Sequence, residues 1–219
     1  MKAKRILFGF GLLVTLGIML GSCTKVDEKE TIALIGKESN IPDIEEIFSE
    51  NPVIKQSFDS VKRNIGIDYG GAIPPKIEGS YVVDPTVLLD SSEETMSAVD
   101  DSIFLRFTCQ NNGMMTMSIK SSSIQQEVYP VFAKGNNDNF TAYCINNWEF
   151  SSPDQAYHVK IERGIIMWGS VTTEGLSDFR IAYIIKDDRD DSNGVLHQYA
   201  PGTYMIYRDG NGLAEKFDW

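Results

Sequence analysis

Ile103-Phe104-Leu105-Arg106-Phe107-Thr108-Cys109-Gln110, then Asn111-Asn112-Gly113, then Met114-Met115-Thr116-Met117-Ser118-Ile119-Lys120: on this stretch the fold turns. Asn-Gly accepts the backbone of a tight hairpin turn. The runs on either side have the length and alternation of strands. Met115, Met117 and Ile119 share one face of the returning strand.

The same pattern continues in both directions. Upstream, residues 79–85 read as a first strand, and residues 86–101 as a long excursion with a short helix. Downstream, residues 126–134 and 140–150 read as strands joined by Gly135-Asn136-Asn137-Asp138. Strands over 157–162, 165–173 and 179–186 follow, with turns expected at Arg163-Gly164 and Glu174-Gly175. A last strand, 203–208, comes after an acidic loop. Tyr157, Val159 and Ile161 alternate with His158, Lys160 and Glu162. Phe140, Ala142, Cys144 and Trp148 share one parity, and Phe179, Ile181, Tyr183 and Ile185 another. Each strand therefore has an apolar face. About eight short strands joined mostly by tight turns predict an antiparallel meander, closed as an up-and-down barrel or folded as a sandwich. Closure removes the exposed edges, so a mainly β barrel is the expected fold.

Helical signals are confined to residues 40–65. Pro42-Asp43 followed by Glu45 and Glu46 suits a helix start. Asn51-Pro52 suits a second, capped by Asn51. Val53, Ile54, Phe58 and Val61 are expected on one face, Lys62 and Arg63 in the last turn, and Gly66 at the stop. These short helices should pack on the domain or close one end of it. Tyr69-Gly70-Gly71-Ala72-Ile73-Pro74-Pro75 is a turn-rich connector.

The chain begins differently. Lys2, Lys4 and Arg5 precede an apolar run over residues 6–20, then Leu20-Gly21-Ser22-Cys23. Positive start, greasy middle and small residues at the cut are the order of a secretory signal. The middle is too short to favour a spanning helix. Leu-Gly-Ser-Cys resembles the lipobox of bacterial lipoproteins. That resemblance implies cleavage before Cys23 and lipidation of that cysteine, with several acyl chains holding the protein at a membrane. Thr24-Lys25-Val26-Asp27-Glu28-Lys29-Glu30 then reads as a solvated tether. The expected organisation is a signal peptide over 1–22, a tether over 23–39, a helical leader over 40–74 and a barrel over 75–219.

Composition limits the partners. The formal charge is −11; removing three cations and no anions with residues 1–22 leaves −11 − 3, or −14, on the remaining 197 residues (219 − 22). Nucleic acid and anionic headgroups are poor partners for such a surface. Besides Cys23, the sequence has Cys109 and Cys144. Export permits a disulfide, and the pair fits equally one bridge between strands or two buried thiols.

Catalytic and metal patterns are sparse. His158 and His197 are the only histidines, and both read as solvated. No metal-protease, phosphate-loop or nucleophile-elbow motif occurs, and no cofactor or metal is expected. Asp187-Asp188-Arg189-Asp190-Asp191-Ser192-Asn193-Gly194 imitates the start of a calcium loop, but its glycine is one place late and Tyr199 stands where the bidentate Glu belongs. It reads as an exposed acidic turn.

Gly79-Ser80-Tyr81, at the head of the meander, resembles the Gly-x-aromatic opening of lipocalins and other calycins, with Tyr81 in place of the usual tryptophan. With the anchor and helical leader, residues 75–208 resemble the lipocalin-like lipoproteins of Gram-negative bacteria. The resemblance implies an apolar barrel interior with one open mouth, at the outer membrane. On this reading the protein is a lipid-anchored binding module for a small apolar or amphipathic molecule. Phe107, Met117, Trp148 and Met167 are candidate lining residues, chosen as large apolar side chains on central strands. The competing reading is a filled barrel that docks a partner in an envelope complex. An enzyme ranks last, for want of a clustered acid, base or nucleophile.

Overall fold

In a computed structural model of the chain, residues 42–65, 73–93, 101–121, 127–151, 158–188 and 200–219 are described. The expected signal peptide, Cys23, the tether, Gly66, His197 and residues 189–194 of the acidic turn lie outside them. So do the side chains of Trp148 and His158.

Two helices come first, α1 (Ile44–Phe48) and α2 (Pro52–Ile65). Both starts are capped by side chains that accept from the backbone two residues on. Asp43 accepts from Glu45 N at 3.1 Å, and Asn51 from Val53 N at 2.8 Å. Ile54, Phe58 and Val61 are buried as expected, together with Ser57 and Ile65. Val53 is not part of that face; it is 51% exposed.

Ten strands follow: β1 (Gly79–Val83), β2 (Thr86–Ser91), β3 (Ile103–Asn111), β4 (Met114–Lys120), β5 (Glu127–Asn136), β6 (Asn139–Ser151), β7 (His158–Val171), β8 (Gly175–Asp187), β9 (Tyr204–Asp209) and β10 (Leu213–Lys216). They make one closed antiparallel barrel of eight staves. The count falls from ten to eight because two staves are bent. β1 and β2 form the first, running past the cis Asp84–Pro85 bond. β9 and β10 form the last: β8 pairs with β10 at Gly175–Ser177 and with β9 from Arg180 to Ile184. The ring shuts where Tyr81 faces Lys216 and Val82 faces Glu215. Closure is thus complete within residues 79–216, and every member of both apolar cores described below lies between Ile44 and Ala214.

Three sequence expectations are corrected. Arg163-Gly164 is not a turn. β7 runs straight through it, paired with Asn146 and Ile145 of β6. The glycine serves a close approach instead: a Cβ there would lie 2.1 Å from Cε1 of Phe48, so only Gly lets that ring lie on the strand. Residues 86–91 are a strand rather than part of an excursion. A register shift between Leu88 and Asp90 breaks the alternation that would have announced it. The bridge between Cys109 and Cys144 does not form. Cys144 is a free, buried thiol. β4 and β5 stand between their strands, three spacings or roughly 14 Å along the wall, and a disulfide tolerates only about 7 Å between Cα atoms.

The expected turns hold elsewhere. Asn112 and Gly113 both take positive φ, 48° and 80°, as a type I′ hairpin requires. β5 and β6 meet around Asn137, φ 53°. Gly79 of the Gly-x-aromatic opening has φ 151°, and Tyr81 folds back beside it to donate from Oη to the Ile77 carbonyl at 3.2 Å. Ile77 is fully buried there, in the lead-in to β1.

Two apolar cores share the barrel wall. Inside are Leu105, Phe107, Met115, Met117, Ile119, Phe140, Ala142, Cys144, Met167, Phe179, Ile181 and their neighbours. Outside, α1 and α2 form a strap over β6 to β9, where Ile44, Phe48, Ile54, Phe58 and Val61 meet Tyr143, Ile166, Ala182, Ile184 and Ile206. Strands under the strap are therefore apolar on both faces. Phe48 and Phe58 stack at 5.1 Å and 11°. Tyr143 donates to the Pro42 carbonyl at 2.9 Å, which ties the start of the strap to the wall.

Candidate functional site

The two ends of the barrel are unlike. At one end lie the short turns after β3, β5 and β7, with Ile77 buried beside them. At the other end leave the four longer connections, after β2, β4, β6 and β8. Within the inner core only Ile103, Tyr183, Met205 and Tyr207 keep 6–8% exposure, and all four sit toward the long-connection end; the other buried members have 2% or less. Leu88, Tyr129 and Val171 pack against this core and are partly buried.

The sequence-derived lining residues belong to the inner core. Phe107, Met117 and Met167 face inward and are closed to solvent. Phe107 packs against Tyr81, ring centroids 6.2 Å apart. Trp148 pairs with Ile161 and shares the register parity of Cys144 and Asn146; nothing further is described for it.

The same interior holds residues that were not singled out from the sequence. Asn146 and Arg163 are cross-strand partners on β6 and β7, both buried and both of inward parity. Arg163 Nε donates to Asn146 Oδ1 at 2.9 Å. The guanidinium lies over the Tyr183 ring, 5.1 Å from its centroid. Tyr183 in turn meets Tyr207 edge-on at 6.1 Å, and Tyr207 Oη reaches Met205 Sδ at 3.5 Å. Tyr129, on β5, packs on the same interior opposite Met117. Tyr129 and Asn146 lie on adjacent strands, each three residues beyond the last β5–β6 pair, Phe132↔Tyr143.

Three polar atoms in this group are buried without a hydrogen bond: Tyr129 Oη, Asn146 Nδ2 and Arg163 Nη2, the last on a side chain that is held by its other contacts. A buried orphan costs about 1–3 kcal/mol, so native structures rarely carry one without a reason. The sequence did hold one signal: Asn146 has the inward parity of Cys144 in an otherwise apolar series. Arg163 was hidden because its glycine neighbour imitates a turn.

Cys144 lies one inward position below Asn146. Burial pushes its thiol up to about 12, with the nearby Arg163 charge pulling it partly back. A thiol at that value is not a nucleophile near neutral pH. We expect Cys144 to resist iodoacetamide at pH 8 in the folded protein and to react once guanidinium unfolds it. Folding stability should also fall as pH rises from about 9 toward about 12, because the unfolded thiol loses its proton in that window and the folded one keeps it. The raised values of Tyr81, Tyr143 and Tyr204, all mainly from burial, act in the same direction. A flat urea midpoint from pH 8 to 11 would contradict this burial.

Among the described residues, no group of three or more His, Cys, Asp or Glu side chains is placed to hold a metal. None of the described helices is long and apolar enough to cross a membrane. No protein-family model, curated protein or solved structure matches the chain. The fold defines its class: a closed eight-stranded β-barrel with a helical strap and a partly polar interior.

Proposed function

We propose that this protein is a lipid-anchored binding module of the bacterial cell envelope, at the outer membrane, whose barrel captures a small amphipathic molecule at its long-connection end. The observation that carries the binding half is that Tyr129 Oη and Asn146 Nδ2 are orphaned donors in an otherwise apolar interior. Small-molecule sites have this composition, mostly apolar with a few placed polar groups. The anchor half rests on the order of residues 2–23 and on their resemblance to a lipobox. The protein acts by binding rather than by catalysis: the interior offers hydrogen bonds and apolar surface, and its one thiol is held protonated.

Native mass spectrometry of the mature chain, extracted from the membranes of its own host, tests both halves. A retained small molecule, released on unfolding, is the expected result, together with a diacylglycerol mass on Cys23. A bare barrel after incubation with host lipid extract would sink the carrier and direct attention to protein partners. A Cys23 sulfur found in a disulfide with Cys109 would sink the anchor, since one sulfur cannot hold both bonds.

A further inference from the structure

We infer that the ligand is recognised through an acceptor oxygen, taken by Asn146 Nδ2 and Tyr129 Oη, with its apolar body against Tyr183, Tyr207 and Met205. This inference rests on the binding reading above and names the chemistry of the same site. Asn146 is 3% exposed, and its Oδ1 already accepts from Arg163 Nε, so the amide is fixed in rotation. Its Nδ2 is therefore the free end, and Nδ2 can only donate. Tyr129 Oη, buried and equally unpartnered, can also donate. Two donors with nothing to bond select a group with lone pairs: a ketone, an ester or carboxylate carbonyl, or an ether oxygen. They discriminate against a pure hydrocarbon, because burying the donors under apolar surface would seal the orphans away from water.

The apolar contacts are in place around them. Tyr183, Tyr207 and Met205 carry the residual exposure inside the barrel and are mutually packed. Tyr rings and methionine are adaptable apolar surfaces. Phe107, Met117 and Met167 are closed to solvent, so the ligand body is short and stays among Tyr183, Tyr207 and Met205. Arg163 acts as a positioning residue: it holds the Asn146 amide in the orientation that presents Nδ2.

Tyr129→Phe is the decisive variant, since it deletes one orphan oxygen and nothing else. Equilibrium dialysis of the full chain, with 2-acetylnaphthalene and with its hydrocarbon analogue 2-ethylnaphthalene, supplies the readout. The native protein should prefer the ketone. Tyr129→Phe should weaken ketone binding about fivefold, the worth of one neutral hydrogen bond, and leave the hydrocarbon unchanged. Its melting midpoint should hold or rise, because an unsatisfied buried hydroxyl has been removed; a residue with only a structural role would not combine these two effects. Equal binding of ketone and hydrocarbon, unchanged by Tyr129→Phe, would overturn the oxygen-recognition proposal and leave the binding barrel standing. Binding of neither probe would overturn the binding reading along with it.

Discussion

Phe48→Ala should destabilise the protein by about 3–5 kcal/mol, the range for deleting a fully buried aromatic side chain. For a chain of this size that lowers the melting midpoint by roughly 6–20 °C. Phe48 has no exposed surface, stacks on Phe58 and lies over Gly164 of β7. It joins α1, α2 and the barrel wall in one contact, so its loss opens a void at the centre of the strap. Gly164→Ala attacks the same contact from the other side. The new Cβ would stand 2.1 Å and 2.3 Å from two ring carbons, forcing the ring off the strand at a cost of about 1–3 kcal/mol. The two changes should not add. With Phe48 already truncated, the alanine methyl enters empty space, so the double variant should recover about 1 kcal/mol or more relative to the sum. Chemical denaturation of the four proteins measures this. Strict additivity would show that Gly164 does not exist for Phe48.

Asp209→Ala is expected to cost about 3 kcal/mol or more. The Asp209 carboxylate is buried between the two bent staves, and three backbone N–H groups converge on it. Oδ2 accepts from Asp84 N at 2.9 Å; Oδ1 accepts from Asn211 N at 2.9 Å and from Leu213 N at 3.2 Å. It thereby holds the corner between β1 and β2 against the turn between β9 and β10. Alanine would leave the Asp84 and Asn211 donors unsatisfied, while Leu213 N keeps its bond to Asn211 Oδ1 at 2.9 Å. Asp209→Asn separates the contributions: the amide oxygen can keep the two bonds of Oδ1, while its nitrogen meets Asp84 N as donor against donor. Urea midpoints should therefore rank native above Asn above Ala. An Asn variant as unstable as Ala would mean that the Asp84 bond, rather than the turn, carries the corner. Neither substitution touches the candidate site, so probe binding per folded molecule should be unchanged in both.

Much of the barrel was legible because its signals are local. The Asn112-Gly113 turn follows from which residues tolerate positive φ. The parities of Met115, Met117 and Ile119, of Phe140, Ala142 and Cys144, and of Phe179, Ile181 and Tyr183 follow from the twofold repeat of a strand. The caps at Asp43 and Asn51 follow from the need of a helix start for acceptors. The reading failed where the cause of a residue lies far along the chain. Gly164 imitates a turn because the ring that needs its missing Cβ is Phe48. Residues 86–91 lost their alternation to an irregularity fixed by pairing with β9. Cys109 and Cys144 are both strand residues, but only sheet order reveals the two strands standing between them.

The candidate site divides in the same way. Phe107, Met117 and Met167 were found as large apolar residues on strands, and hydrophobicity alone assigned them to the interior. It could not assign access: all three are closed to solvent. Asn146, Arg163 and Tyr129 are polar, and one side chain's hydrogen-bonding need says nothing about which neighbours will meet it. What the sequence by itself determined is periodic and local: an antiparallel meander, its parity, its hairpin turn and its capped helices. What only the tertiary structure decided is the pairing of distant residues: the strap on the outer wall, the glycine that admits it, the two bent staves that close the ring, and the buried polar pair inside the barrel. Local backbone preference repeats along the chain and can be read from it. Burial is a property of the closed object, and it arises only when strands far apart in sequence share a wall.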